Sequence, residues 1–297
     1  VSAARRCLAL AVGLLAGCAS TPPPHALDGR IWDARAGQFI DESALALQLR
    51  QARFRLLGEM HDHPAHHRLR ARLIAQLETP VDIFFEQFDL ERDAALREAQ
   101  LAGADADGLA RAGALDAAWK WPLHRPLLEI AIARRDPVRA ANLSRATARR
   151  IASGSGLTAA DAAIANALAG SAWNAQREAA LRAEIFEAHC QALPQSAAQG
   201  MALAQRARDA TLAAALAGAA GSAVLIAGNG HARRDLAVPL YLPRDASVLS
   251  VGFLETRSGD TDPRDYARGA SGEAAYDYVW FTPRQPRPDP CESLRKR

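Results

Sequence analysis

Six short runs of β-branched, aromatic and apolar residues, each bounded by turn residues, recur along the chain at 54–57, 81–85, 137–141, 223–227, 247–251 and 277–281. They predict strands. Between them, Ala/Leu/Arg/Glu-rich stretches at 66–77, 123–134 and 173–193 carry apolar residues every three or four positions, which predicts helices. Strands alternating with helices predict an α/β fold with a mostly parallel sheet covered by helices. The alternation fails once, because residues 157–220 hold no strand run and read as an Ala-rich all-helical insertion acting as a lid. Ser153-Gly-Ser-Gly156 and Gly218-Ala-Ala-Gly221 punctuate its ends.

At about 150 residues per domain, the length allows one large α/β domain or two small ones. Composition alone does not choose between them, and we read the α/β domain over 31–282. With 49% hydrophobic and 23% charged residues the chain is neither disordered, nor collagen-like, nor a polytopic membrane protein. The formal charge of +3 includes Arg5 and Arg6 of the leading segment, so no nucleic-acid footprint remains.

Residues 1–17 combine Arg5-Arg6, an apolar Leu8–Leu15 stretch and a small-residue end at Ala16-Gly17-Cys18. This is the layout of a signal peptide. The apolar stretch is about half the roughly 20 residues that a membrane-spanning helix needs. Leu15-Ala-Gly-Cys18 has the shape of a bacterial lipoprotein cleavage site, so Cys18 is expected to carry lipid; ordinary secretion with Cys18 as a bystander is the alternative. Ala19 in place of Asp points to the outer membrane, and the expected location is the cell envelope, facing the periplasm. Residues 18–30 then form a linker, and the Pro-rich 283–297 form an extended tail, loose unless Cys291 pins it. Cys7 leaves with the signal, and Cys190 and Cys291 remain in an oxidising compartment, where a bond between them is expected and two free thiols are the alternative. There is no C-x-x-C pattern.

Two matching tetrapeptides, Gly58-Glu-Met-His61 and Gly228-Asn-Gly-His231, each directly follow a predicted strand. In open parallel sheets ligands bind beyond the strand C-termini, so these histidines can meet in space, with Glu86 and Asn142 at the same edge. Glu59, His61, Glu86 and His231 would form a carboxylate–imidazole cluster suited to a divalent metal or to acid–base chemistry. The bland alternative for either histidine is a structural role at a strand end. The run His61-Asp-His-Pro-Ala-His-His67 can bind metal or simply start a helix near Pro64. Trp119-Lys-Trp-Pro-Leu-His-Arg125 has the composition of a pocket for a flat apolar ligand with carboxylates, or of core tryptophans beside a surface histidine. Gln205 and Asp209 stand one turn apart on one helix face, beside Arg208. The absence of G-x-S-x-G, Walker, H-E-x-x-H and G-x-G-x-x-G signatures removes most weight from serine hydrolase, nucleotide-binding and zincin readings.

Taken in order, Leu56-Leu-Gly-Glu-Met-His-Asp62 with His66-His67, Phe85-Glu-Gln87, Asn142, Gln205-x-x-Arg-Asp209 and Gly228-Asn-Gly-His-Ala-Arg233 with Val238-Pro-Leu-Tyr241 resemble the ChaN family of haem-binding lipoproteins in the Tiki superfamily. The resemblance implies an α/β core with a helical portion, lipid anchoring in the periplasm, haem uptake or storage with a possible haem-uptake receptor as partner, and haem sandwiched in a homodimer. His189-Cys190 and Asp289-Pro-Cys291 also look similar to positions in that family, which favours the disulfide. Family members that hold iron through a tyrosine need one in the pocket, yet Tyr241, Tyr266, Tyr276 and Tyr278 all fall late. Either His124 takes its place as axial ligand, or haem binding has been lost or changed. On the haem reading Trp121, His124, Arg125, Gln205 and Asp209 hold the porphyrin over a polar floor of Glu59, His61, Glu86 and His231. Relatives in the superfamily suggest two rivals: a metal-dependent hydrolase or protease, with a divalent ion on Glu59, His61 and His231, and a metal-free esterase.

Overall fold

The computed structural model describes residues 25–292 apart from 79, 116–118, 271 and 290. The expected signal peptide, Cys18 and the first part of the linker lie outside the described residues. The chain order is β1 (Ile31–Asp33), β2 (Gln38–Ile40), α1 (Glu42–Gln51), β3 (Phe54–Leu57), α2 (Pro64–Ile74), β4 (Asp82–Asp89), α3 (Asp93–Leu101), α4 (Ala106–Ala112), α5 (Arg125–Arg134) and β5 (Val138–Asn142). It continues with α6 (Arg145–Arg150), α7 (Ala162–Gly170), α8 (Ala175–Ala188), α9 (Gln195–Ala217), β6 (Ala223–Ile226), α10 (Asn229–Ala232), β7 (Val248–Glu255), α11 (Pro263–Ala267) and β8 (Tyr278–Thr282). All six predicted strands are present, and 157–220 holds helices and no described strand.

The eight strands form one sheet in the order β2-β1-β8-β7-β3-β6-β4-β5. The six from β8 to β5 run parallel; β1 and β2 add an antiparallel hairpin at one end. Because strand side chains alternate in direction, each central strand feeds two cores. Leu57, Val224 and Ile226 pack with Leu49, Ile74 and Leu128 of α1, α2 and α5. Phe54, Leu56 and Leu225 pack on the other face with Leu212 and Leu216 of α9. Helices therefore cover both faces, as parallel sheets require.

The free edge of β5 is closed by side chains: Val138 N–H donates to Gln100 Oε1 at 3.0 Å and Ala140 N–H to Asp93 Oδ1 at 3.1 Å. Within the helical region, α9 belongs to the core, but α8 buries only Leu181 and α7 buries no residue. The tail is held rather than loose. Arg287 binds both Asp62 and Glu255, Pro283 O accepts from His63 Nε2 at 3.0 Å, and Cys291 is bonded to Cys190 across 101 residues. Among the described residues no helix is long and apolar enough to cross a membrane.

Candidate functional site

The chain leaves β3 through Gly58, where a side chain would meet Asn229 Oδ1 at 2.3 Å. Asn229, the first residue of α10, donates from Nδ2 to Phe253 O at 2.7 Å and accepts from Phe253 N at 3.0 Å, while its own N–H donates to Glu59 O at 2.8 Å. Both G-x-x-H segments are thereby fastened to each other and to β7. Gly58→Ala is expected to lower unfolding stability by about 1–3 kcal/mol through overpacking, measurable by urea denaturation. An unchanged midpoint would show that Asn229 can move aside.

Glu59 is buried at the C-terminal end of β3, with His61 Nδ1 at 2.6 Å, Gln87 Nε2 at 3.0 Å and His124 Nε2 at 3.3 Å on Oε1. On Oε2 it meets the Arg70 guanidinium and, at 3.1 Å, His67 Nδ1. His67 donates from Nε2 to His61 O at 3.0 Å, so its Nδ1 accepts from Arg70 at 2.9 Å. Burial pushes the imidazoles of His67 and His124 down to about 4 and about 2, so both are neutral near pH 7. His66 and His63 are structural: His66 accepts from Met60 N at 2.9 Å and reaches Thr282 Oγ1 at 2.8 Å, and His63 braces the tail.

A second cluster is assembled from β4, α9 and α10. Glu86 Oε2 accepts from Gly228 N at 2.7 Å, and its Oε1 lies 3.4 Å from His231 Nε2. His231 Nδ1 is 2.6 Å from Asp209 Oδ1, and Gln205 Nε2 approaches the same ring at 3.3 Å. Burial alone would lower the His231 pKa, but the two carboxylates hold it up at about 10, so the ring is an imidazolium. Burial pushes the Asp209 carboxyl up to about 6; for Glu86 the His231 charge outweighs burial and holds it below the usual range.

Gly228 joins the clusters, since a Cβ there would lie 3.0 Å from His61 Nε2. Only a bare backbone lets that imidazole settle so close. Above them opens a cavity of about 710 Å³, with His61, Glu86, Trp119, Gln205, Arg208 and His231 in its walls. Trp119 stands edge-on to His61 at 4.9 Å. Asn142, at the end of β5, donates to Glu86 O at 2.8 Å and accepts from Arg208 at 3.0 Å.

The structure thus brings Glu59, His61, Glu86, Gln205, Asp209 and His231 together. It separates Trp121 and Arg125 from them: Trp121 Nε1 and Arg125 both bond Asp107, at 3.1 and 2.6 Å, and neither lines the cavity. His124 is buried against Glu59 rather than open to the cavity, because its ring lies in the layer of His67 and Trp119, 4.3 and 6.3 Å away. The structure thus places His124 with Glu59 and not in the cavity wall. From the helical insertion α9 alone reaches the main cavity, through Gln205 and Arg208, so α7 and α8 do not roof it. The strand carrying Glu86 also continues to Asp89, with a shift of register after Phe85.

The donor set Glu59, His61 and His231 does not converge on one cation. Both ring nitrogens of His231 are already engaged by carboxylates. Among the described residues, the grouping with ligand atoms within 4.8 Å of one another is Glu59, His67 and His124, and Arg70 already contacts two of these three residues, at Glu59 Oε2 and His67 Nδ1. Arg70, fully buried, was missed by sequence reasoning because an arginine on a helix normally reads as solvated. Its position offers one signal: 67, 70 and 74 follow the three-and-four spacing of the buried stripe of α2.

The ChaN of Campylobacter jejuni, a protein described by its cofacial haem binding, superimposes with a TM-score of 0.70 at 20% identity, covering 87% of this chain and 98% of that one. The type III effector HopBA1 (TM-score 0.40, 11% identity, 82% and 94% covered) and a protein from Bacillus cereus (0.38, 12%, 73% and 70%) are more distant. No curated protein matches the sequence. The family described as haem-binding uptake, Tiki superfamily, ChaN matches residues 45–242, and the chain belongs to that family.

Proposed function

We propose that the protein holds haem in an envelope compartment, anchored to the outer membrane through lipidated Cys18 and working as a homodimer in haem uptake or storage. Family membership supports haem as the ligand. The observation that carries the reading here is the state of His61. Its side chain is 44% exposed while its Nδ1 is fixed by buried Glu59 at 2.6 Å, which leaves Nε2 on the cavity side beside Gly228. An imidazole whose second nitrogen is oriented by a carboxylate is a well-prepared metal ligand. The residues fit haem in two further respects: Trp119 offers an aromatic wall, and Arg92 and Arg208 supply positive charge for propionates. Bound haem would supply an iron centre with an open coordination position. The chain's residues bind and orient: His61 replaces the missing tyrosine, and Glu59 sets its tautomer.

A haemin titration of the form beginning at Ala19, followed by visible absorption, tests this. A saturable Soret shift is expected, with His61→Ala moving the band and weakening binding at least about tenfold, the lower end for losing an orienting or ligating group at a metal site. His124→Ala should leave the band where it is. A band unmoved by His61→Ala would remove that residue as ligand, and no saturable shift would remove haem.

The divalent-metal reading keeps one observation, the grouping of Glu59, His67 and His124. An ion there would have to displace the Arg70 guanidinium. Purified protein is therefore expected to carry no stoichiometric manganese, cobalt or zinc; elemental analysis finding one per chain would overturn this.

A further inference from the structure

The outer helix α8 is attached to the domain by little apolar contact. Of its fourteen residues only Leu181 is buried, and two voids of about 320 and 280 Å³ lie along its side, the first between Phe186 and Ala198, the second between Ile185 and Met201. What holds it is polar and covalent. Glu178 and Glu184 pair with Arg206 and Arg233, Arg177 donates to Asp235 O at 2.9 Å, and Cys190, just past the helix end, is bonded to Cys291. Cys190 and Gln191 also sit at φ 60° and 59°, two successive non-glycine residues in left-handed backbone, a conformation that persists only where the surroundings enforce it.

The other end of that restraint is the tail. Arg287 grips Asp62 at 2.6–2.9 Å and Glu255 at 2.7–2.8 Å, and Gln285 N–H donates to Glu255 at 3.2 Å. Asp62 follows His61 and also binds Lys120, beside Trp119. The disulfide therefore ties α8 to the loops that wall the cavity. The void between α8 and α9 reaches Gln205, Asp209 and Gly230, and Gln205 and Gly230 also line the main cavity. Helix α8 thus covers the back of the Asp209–His231 pair.

We propose that Cys190–Cys291 is a redox latch: oxidised, it holds α8 against α9 through the tail; reduced, it frees α8 and the tail and opens the rear of the site to water. The step is thiol–disulfide exchange with a dithiol, whose two electrons and two protons give two cysteine thiols while the dithiol closes to its own disulfide. Local opening of a thinly packed element without global unfolding is the expected response.

Hydrogen exchange read by mass spectrometry on the full chain, with and without dithiothreitol, tests this without reference to haem. Reduction should speed exchange of 175–192 and 283–289 at least about tenfold and leave the parallel strands unchanged, with reoxidation restoring protection. Cys291→Ser should reproduce the reduced pattern. Arg287→Ala should loosen α8 even with the disulfide intact, because the bond can transmit only the grip the tail has. Unchanged α8 exchange in protein whose two thiols have been shown free by alkylation would overturn the latch. So would a rise spread evenly over the sheet, or an α8 indifferent to Arg287→Ala.

Discussion

Arg70→Met is expected to be among the most damaging single changes in the chain, lowering unfolding stability by about 3–5 kcal/mol in urea titrations at pH 7. The methionine keeps most of the volume, so the loss measures charge rather than a cavity. Glu59 is 2% exposed, and His67 and His124 on the same carboxylate are neutral near pH 7. That leaves Arg70 as the buried cation against it, and burial pulls Arg70 itself down only to about 9, so it is charged at neutral pH. Replacing Glu59 as well, by leucine, should recover much of the loss, because two apolar groups do not leave a stranded charge. The double variant should still lose the fixed His61 ring, which separates the stability of the pair from its use. A loss below about 1 kcal/mol for Arg70→Met would mean that Glu59 is not left as an uncompensated buried charge.

The second large effect is expected at His231, where removal of the imidazolium by His231→Leu leaves Glu86 and Asp209 buried without a cation between them. A loss of about 3–5 kcal/mol is expected at pH 7. It should shrink as the pH falls towards the carboxyl range, since the carboxyls shed their repulsion by taking up protons. In the unaltered protein the signs differ by group. His231 rises from 6.5 to about 10 on folding, so its contribution is complete below pH 6.5 and is lost as the pH climbs through 10. Glu86 is lowered from 4.5, so its contribution is present above that pH and is lost under stronger acid. Asp209 rises from 3.8 to about 6, so its burial counts against folding increasingly across that interval. Stability measured against pH should therefore fall between about 6.5 and 9, below the range where Arg70 begins to lose its proton, and this alkaline slope should vanish in His231→Leu. A slope that persists in the variant would place the titration elsewhere.

The parallel sheet was legible because buried strands must be continuous apolar runs between turn residues, and all six such runs became strands. The β1–β2 hairpin was not. Its three-residue strands at 31–33 and 38–40 are too short for alternation to register; β1 holds its place by pairing with β8, and β2 by pairing with β1. In the site, the G-x-x-H pair located the sheet edge, since a strand's end fixes where the next three residues go, but the single carboxylate–imidazole cluster it predicted is divided in two, one around Glu59 and one around His231. Which of several nearby rings faces solvent is set by helix rotation and packing, which sequence spacing does not specify. Hence His61 is half exposed while His124 is buried, and of the two tryptophans two positions apart, Trp119 faces the cavity and Trp121 bonds Asp107. Arg70 shows the same limit from the other side: a charge in the buried stripe of a helix is recognisable only when its partner is known.

The outward N–H groups of β5 are occupied by Gln100 and Asp93, and the opposite end of the sheet is finished by a three-residue strand. A sheet with one margin capped and the other only three residues long offers little template for another chain to add a strand, which protects it against runaway cross-strand aggregation. If two copies associate, contact through helices and loops is the expected mode, and surface substitutions there should weaken it without disturbing the sheet of either copy.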